Sequence, residues 1–240
     1  MAASAAGTRL VRVRGAKVPA VTLNGVQVEA SQGTTILDLA RQHGVWIPTL
    51  CYHPELSLNG SCRLCVVEVR GSRTLVGACH TPVAPNMVIT TDSPAVLKSR
   101  RLTVELLLAS HSGNCWSCDK ANLCELRHIA VELDVGPLPI TLRKPFRTLE
   151  ALGAHVVRDP TKCVLCRRCV RACREIKGAG LLAIAYRGFS CKVIIGQDDA
   201  DGDAACESCD VCVGVCPVGA LSKRADRFVP KTGQPLVVAG

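Results

Sequence analysis

Alternating apolar and polar residues near the start of the chain predict a β-hairpin. The stretch VPAVTLNGVQVEA at 18–30 divides into two short strands at Asn24 and Gly25, a dipeptide that favours the positive φ angles of a tight turn. The next apolar residues occupy one side of a short helix: Ile36, Leu37, Leu39 and Ala40. Gly44 is placed to end that helix. Two strands followed by a helix predict a β-grasp domain.

A second helical pattern follows Pro94 and leads directly into a segment that contains histidine and cysteine. Its apolar positions are Val96, Leu97, Leu102, Val104, Leu106 and Leu108. Residues 136–155 contain three prolines and no cysteine, which predicts a linker over the surface. The sequence YRGFSCKVIIGQ at 186–197, between two cysteine-rich blocks, predicts a small hairpin.

The cysteine content indicates a chain held together by disulfides or by metal, since there are 16 cysteines in 240 residues and only 3% aromatic residues. The first twenty residues lack the continuous apolar core of a secretory signal. No apolar run is long enough to cross a bilayer. We therefore expect a cytoplasmic protein without membrane insertion, whose thiols stay reduced and available to bind metal.

Two blocks of four cysteines share an internal spacing of two, two and three residues. Their members are Cys163, Cys166, Cys169 and Cys173, and Cys206, Cys209, Cys212 and Cys216. Bacterial ferredoxins with two [4Fe-4S] clusters have this spacing, and there the fourth cysteine of each block binds the other block's cluster. The spacing therefore predicts one cluster on the first three cysteines plus Cys216, and another on the later three plus Cys173. A pair of zinc sites is the alternative.

Two further groups of candidate ligands lie upstream. The first is Cys51, Cys62, Cys65 and Cys79, which suits a [2Fe-2S] centre, although its first gap is longer than in plant-type ferredoxins. A zinc knuckle is the alternative. The second is His111, Cys115, Cys118 and Cys124. Three cysteines are one ligand short of the four that a cluster takes, and a neutral imidazole can supply the last. Zinc held by three cysteines and one histidine is the alternative.

The remaining cysteine and histidines have no partner at metal-ligand spacing. Cys191 is interpreted as a small buried apolar residue. The other histidines are interpreted as structural or exposed: His43, His53, His80, His128 and His155.

Taken together, these motifs resemble the iron-sulfur subunit of the diaphorase module in bidirectional, NAD-linked [NiFe]-hydrogenases. The segments that carry the resemblance are IPTLCYHPELSLNGSCRLCVVEV, HSGNCWSCDKANLCEL, KCVLCRRCVRAC and CESCDVCVGVCPVGAL, within residues 18–225. The same order of sites is similar to the N-terminal region of NAD-linked [FeFe]-hydrogenase and formate dehydrogenase large subunits. It also resembles part of the large iron-sulfur subunit of respiratory NADH dehydrogenase.

The resemblance implies an α+β chain with three cluster-binding domains. These are a β-grasp [2Fe-2S] ferredoxin domain at 18–94, a histidine-ligated [4Fe-4S] domain at 95–135 and a two-[4Fe-4S] bacterial-ferredoxin-like domain at 156–225. An N-terminal extension at 1–17, the linker at 136–155 and a tail at 226–240 complete the chain. By the same resemblance, the ligands of the [2Fe-2S] cluster are Cys51, Cys62, Cys65 and Cys79, and those of the first [4Fe-4S] cluster are His111, Cys115, Cys118 and Cys124. The last eight cysteines bind two more [4Fe-4S] clusters.

The function implied by the resemblance is electron transfer without catalysis by this chain. The donor is expected to be a flavoprotein subunit that oxidises NAD(P)H with FMN, and the acceptor a hydrogenase catalytic subunit, within a hetero-oligomer. The alternative is the same relay in an NAD-linked formate dehydrogenase or in an electron-bifurcating complex with ferredoxin. No glycine-rich nucleotide loop occurs in the sequence, so we expect the nucleotide and the catalytic residues on partners.

The formal net charge of +9 favours a nucleic-acid partner, and a zinc-stabilised nucleic-acid-binding protein is the remote alternative. Oxidised cluster cores carry about +2 each, so each of the three four-thiolate sites carries about −2 and the site with three thiolates and a histidine about −1. Together they reduce the formal charge of +9 to about +2. We therefore expect no nucleic-acid partner. The arginines near the first ferredoxin block are interpreted as compensation for buried anionic clusters: Arg167, Arg168, Arg171 and Arg174.

Overall fold

The computed structural model describes residues 17–111, 115–136, 148–152, 155–196, 206 and 209–223. Within these residues, no helix is both long enough and apolar enough to span a membrane. The N-terminal extension through residue 16, the central part of the predicted linker at 137–147 and the tail after residue 223 lie outside them.

The predicted N-terminal hairpin is confirmed. Strands β1 (Lys17–Leu23) and β2 (Val26–Ser31) pair antiparallel. Asn24 and Gly25 form the turn with φ angles of 49° and 84°, the left-handed values that a two-residue hairpin turn requires. The Asn24 side chain exchanges two hydrogen bonds of 2.8 Å with Thr91, which fixes the turn to the residue that follows a later strand of the sheet.

A mixed five-stranded sheet with one helix across it forms the first module. Its other elements are α1 (Ile36–Gln42), β3 (Val66–Val69), β4 (Val76–Gly77) and β5 (Val88–Thr90), and the strand order is β2-β1-β5-β3-β4. β1 and β5 run parallel. Thr35 caps α1 by accepting a hydrogen bond from the Asp38 amide, and Gly44, at φ 69°, follows its end. The apolar side of α1 is buried in the same core as Val21 and Ile89, as the predicted β-grasp requires.

Helix α2 (Pro94–Ala109) follows the sheet, and its buried side differs in part from the predicted one. Ser93 caps it through the Val96 amide. Val96 and Val104 are buried as expected, but Leu102 and Leu106 are 48% and 40% exposed. Two short 3₁₀ turns, Cys115–Ser117 and Ala121–Leu123, and α3 (Glu125–Glu132) complete the second module.

The third module contains a three-stranded sheet, two helices and a hairpin. The sheet comprises β6 (Glu150–Leu152), β7 (Val156–Arg158) and β10 (Leu221–Lys223) in the order β10-β7-β6. The helices are α4 (Arg168–Glu175) and α5 (Val211–Gly214), and the hairpin is β8 (Leu182–Ala185) with β9 (Lys192–Ile195). The sequence predicts a hairpin here, but its first strand lies before the predicted stretch at 186–197. The described end of the predicted linker is not a surface connection, because it forms β6 and buries Leu152.

One apolar core joins the three modules. Leu50 and Leu64, from the cysteine loops of the first module, are fully buried in it. There they belong to the same cluster as Leu126 and Ile129 of α3 and Val218 of the third module. The cysteine loops therefore face the interior of the chain, between its modules.

Candidate iron-sulfur centres

The first four predicted ligands come together as two thiol pairs. A hydrogen bond between the thiols of Cys51 and Cys62 lowers the pKa of Cys51 and raises that of Cys62. A hydrogen bond between the thiols of Cys65 and Cys79 does the same, lowering the pKa of Cys65 and raising that of Cys79. Electrostatic contact of Cys79 with Cys51 and Cys62 shows that the pairs are neighbours. Two adjacent thiol pairs suit a two-iron centre in which each iron binds two cysteines.

The backbone around these pairs is shaped by contacts that the cysteine spacing does not show. Arg63, between two of the cysteines, has a left-handed φ of 56°. The Leu50 amide lies 3.5 Å from the Cys62 sulfur and donates to it. His80, interpreted from sequence as structural or exposed, places Nδ1 3.6 Å from the Cys79 sulfur. Its imidazole therefore contacts a predicted ligand, although it has no metal-ligand spacing in the sequence.

The second group lies where α2 approaches the third module. Cys115 and Cys118 are electrostatic neighbours of Cys124, whose pKa is raised by burial. His111 Nδ1 lies 2.9 Å from the Lys162 carbonyl oxygen. Because a carbonyl can only accept, Nδ1 carries the proton, and the lone pair for a metal bond is then on Nε2.

Gly219, just after the later ferredoxin block, lets the second ligand group pack closely against the third module because it has no side chain. A Cβ atom at this position would lie 2.9 Å from the Cys118 sulfur and 3.2 Å from Cβ of Lys120. The adjacent backbone also contacts this region, since the Glu125 amide donates to the Pro217 carbonyl at 2.9 Å. Only glycine allows the Cys118 sulfur to approach so closely.

We expect Gly219→Ala to displace the Cys118 thiol and to reduce the iron content of the histidine-ligated centre, because the added methyl group overlaps the sulfur. Iron analysis with spectroscopy of that centre measures the effect. Gly214→Ala is the matched control, since a Cβ there meets nothing within 4 Å. Full occupancy of this centre in Gly219→Ala would contradict the expectation.

The eight cysteines of the two ferredoxin blocks line two separate cavities. One cavity is lined by Cys163, Cys166, Cys169 and Cys216, and the other by Cys173, Cys206, Cys209 and Cys212. Each set thus combines three cysteines of one block with the fourth of the other. Burial raises the pKa of Cys166 and of Cys212 to about 12. Thiolates at these positions need a positive partner, which an iron-sulfur core supplies.

The loop around the first cavity contains two unusual backbone conformations. Leu165 and Arg167 have left-handed φ angles of 54° and 61°. Such conformations cost about 1–3 kcal/mol each for residues other than glycine and are concentrated at functional sites. We therefore attribute these two φ angles to the packing of the loop around the cavity, because leucine and arginine do not themselves favour the left-handed conformation.

The arginines near this loop make specific contacts, beyond the general charge compensation that the sequence predicts. Arg168 forms a bidentate pair with Glu125 of α3, at 2.5 and 2.8 Å. Arg167 lines the first cavity, while Arg174 is 71% exposed in its side chain and lies 3.3 Å from Glu175. Arg158, which precedes the cysteine block in the sequence, also lines that cavity, although it was not singled out from the sequence.

In the described ranges, no group of three or more His, Cys, Asp or Glu side chains is arranged to hold a single metal ion. Cys191 lies outside the predicted ligand sets and is half-buried, less enclosed than predicted.

Two family models match the chain. A 2Fe-2S iron-sulfur cluster binding domain matches residues 16–94. The NADH-ubiquinone oxidoreductase-G iron-sulfur binding region matches residues 100–137.

Similar proteins occur among several oxidoreductases. NADP-reducing hydrogenase subunit HndD of Solidesulfovibrio fructosivorans is 39% identical over 206 residues, which cover 84% of this chain and 35% of that protein. NAD-reducing hydrogenase HoxS subunit gamma of Cupriavidus necator is 29% identical over 205 residues, covering 85% of this chain and 86% of that protein. The chain thus spans about a third of the first relative and most of the second.

The fold is also similar to a chain in a solved structure, described as the crystal structure of NAD+-reducing [NiFe]-hydrogenase in the H2-reduced state. The two chains are 31% identical, with a TM-score of 0.77. The match covers 90% of this chain and 92% of the other.

Proposed function

This chain belongs to the family of diaphorase iron-sulfur subunits of NAD-linked hydrogenases, and on that premise we propose that it relays electrons between an NAD(P)H-oxidising flavoprotein and a hydrogenase catalytic subunit. The relay uses one [2Fe-2S] and three [4Fe-4S] clusters. FMN and NAD(P) bind to the flavoprotein subunit, and hydrogen chemistry takes place on the catalytic subunit.

The observation that carries this proposal is the sorting of the two ferredoxin blocks into two cavities. Each cavity is lined by three thiols of one block and one thiol of the other. Independent zinc sites in two repeats have no need to exchange a ligand, whereas a double-cluster ferredoxin does. The proposed ligands are Cys163, Cys166, Cys169 and Cys216 for one cluster, and Cys206, Cys209, Cys212 and Cys173 for the other.

Direct contacts between modules support a relay rather than isolated sites. Arg171 of α4, which lies between Cys169 and Cys173, donates to the Cys51 carbonyl at 2.5 Å. His111 contacts the residue before Cys163 through the Lys162 carbonyl. Hydrogen bonds and packed side chains thus connect each upstream site to the double-cluster module.

We expect the residues of this chain to bind the clusters and to limit the contact of several ligands with water. Cys51, Cys65 and Cys79 are 1–3% exposed, and Cys166, Cys169 and Cys173 are 8–9% exposed. The bound clusters supply the one-electron chemistry. This burial separates those six thiols from solvent, whereas Cys115 of the histidine-ligated site is exposed.

We expect the complex, purified without oxygen, to be brown and to contain about fourteen irons on this chain, from one two-iron and three four-iron centres. Iron and acid-labile sulfide analysis of the chain separated from its partners measures the total. Spectroscopy of the intact complex resolves the centres. A preparation with about four zinc ions per chain and no acid-labile sulfide would rule out the relay.

A further inference from the structure

Two arginines from outside the first sheet bury their guanidinium groups against its cysteine loops. Arg100 of α2 is 2% exposed and donates from Nη2 to the Val66 carbonyl at 2.8 Å. Arg171 of α4 is 6% exposed and donates from Nη2 to the Cys51 carbonyl at 2.5 Å. Cys51 is a proposed [2Fe-2S] ligand, and Val66 directly follows another, Cys65. Two cations from different modules therefore flank one centre.

The charge of these arginines is incompletely compensated by the groups that they contact. Carbonyl oxygens carry only a partial negative charge, and Nε of both side chains makes no hydrogen bond. Burial lowers the pKa of Arg100 to about 10, which leaves the guanidinium charged at neutral pH. A buried cation of this kind needs an anion nearby. The electrostatic neighbours of Arg100 are Cys65 and the exposed carboxylate of Asp92. A thiolate-bound [2Fe-2S] centre beside the buried guanidinium carries about −2 when oxidised.

We propose that Arg100 and Arg171 form a cationic clamp that raises the reduction potential of the [2Fe-2S] centre, an inference that rests on the proposed function. When the centre accepts one electron from the flavoprotein side, its negative charge increases by one between the two cations. The attraction is strong because both guanidinium groups are shielded from solvent. Charge near a cluster is one of the determinants of its potential.

The clamp also makes this centre dependent on the rest of the chain. Arg171 lies on the helix that contains Cys169 and Cys173 of the double-cluster module. The [2Fe-2S] centre therefore has its full potential only when the modules are docked. An isolated ferredoxin domain without α2 and α4 lacks both cations.

A second contact keeps the modules docked when the charge of Arg171 is removed. Glu175, one turn further along α4, accepts hydrogen bonds from the Ser57 amide at 2.7 Å and from the Ser57 hydroxyl at 2.6 Å. Arg171 itself donates to the Ser57 carbonyl. Since Glu175 still binds Ser57 when residue 171 is neutral, such a variant separates the effect of charge on the potential from the effect of module docking.

The test is a redox titration of the [2Fe-2S] centre in the complete complex, followed by electron paramagnetic resonance. We expect Arg100→Gln and Arg171→Gln each to lower its midpoint potential, and the double variant to lower it further. Arg100→Lys and Arg171→Lys, which keep the charge, should stay closer to the wild type than the glutamine variants. The matched controls are Lys98→Gln on α2 and Arg174→Gln on α4, because each removes one exposed positive charge from the same helix. Both controls should leave the potential unchanged.

The outcomes separate this inference from the proposed function. A wild-type complex without a [2Fe-2S] signal contradicts the proposed function. A normal signal whose potential does not move in either glutamine variant overturns the clamp alone, as does a shift equal to that of the exposed controls. If a glutamine variant loses the cluster, the midpoint potential of the lysine variant at that position tests the clamp instead. A potential near the wild type then supports the role of charge, and a lowered potential overturns it.

Discussion

Replacement of Cys173 by alanine is expected to disrupt the cluster of the later cysteine block and to spare the cluster beside it in sequence. Cys173 lines the cavity of Cys206, Cys209 and Cys212, and it is an electrostatic neighbour of Cys212. Loss of one of four thiolates leaves one iron without a protein ligand, so a three-iron form or an empty site is expected. Site-resolved spectroscopy with iron analysis of the variant complex identifies the affected centre.

The reciprocal variant, Cys216→Ala, should have the opposite effect. Cys216 lines the cavity of the first block and is an electrostatic neighbour of Cys166. Cys191→Ser is the matched control, because Cys191 lies outside both cavity linings and should leave all centres filled. Loss of the Cys163 centre alone in Cys173→Ala would show that the blocks are independent sites and would contradict the ferredoxin interpretation of this module.

Local features of the fold could be predicted because the sequence encodes them within a few residues. Asn24 and Gly25 determine their turn through their own φ preferences, and the apolar spacing of α1 determines which side is buried. Cysteine spacing likewise predicted which thiols of the two ferredoxin blocks the structure brings together. That these sets bind clusters stays a prediction.

Contacts between distant residues could not be predicted in this way. Arg171 and Cys51 are separated by 120 positions, and no local sequence pattern shows that the Arg171 guanidinium reaches the Cys51 carbonyl. The close approach of Gly219 to Cys118 is equally invisible, since glycine at that position also suits an ordinary turn. These contacts arise from module docking, and docking depends on the shape of the whole chain.

Helix α2 shows why an apolar pattern alone predicted its buried side incompletely. Arg100 is buried although it is charged. It donates a hydrogen bond to the Val66 carbonyl and has Cys65 as an electrostatic neighbour. Arg100 thus occupies an interior position of this helix, while Leu102 and Leu106 are exposed. A pattern that counts only apolar residues cannot include a cation at the interior position.

The last prediction concerns His111, which we expect to bind through Nε2 while Nδ1 donates to the Lys162 carbonyl. Imidazole is a neutral ligand, whereas cysteine binds as an anion and adds one negative charge to the site. His111→Cys should therefore keep the cluster and lower its reduction potential. His111→Ala, which offers no ligand, should lose iron from this centre alone.

Redox titration of the variant complexes, with iron analysis, measures both effects. His43→Cys is the matched control because His43 is exposed at the end of α1, far in sequence from the predicted ligands of this centre. It should change neither the iron content nor the potential. A full complement of iron in His111→Ala, with an unchanged potential in His111→Cys, would show that another group completes the ligand set. Imidazole would then act only through its hydrogen bond to Lys162, as a support for the loop before Cys163.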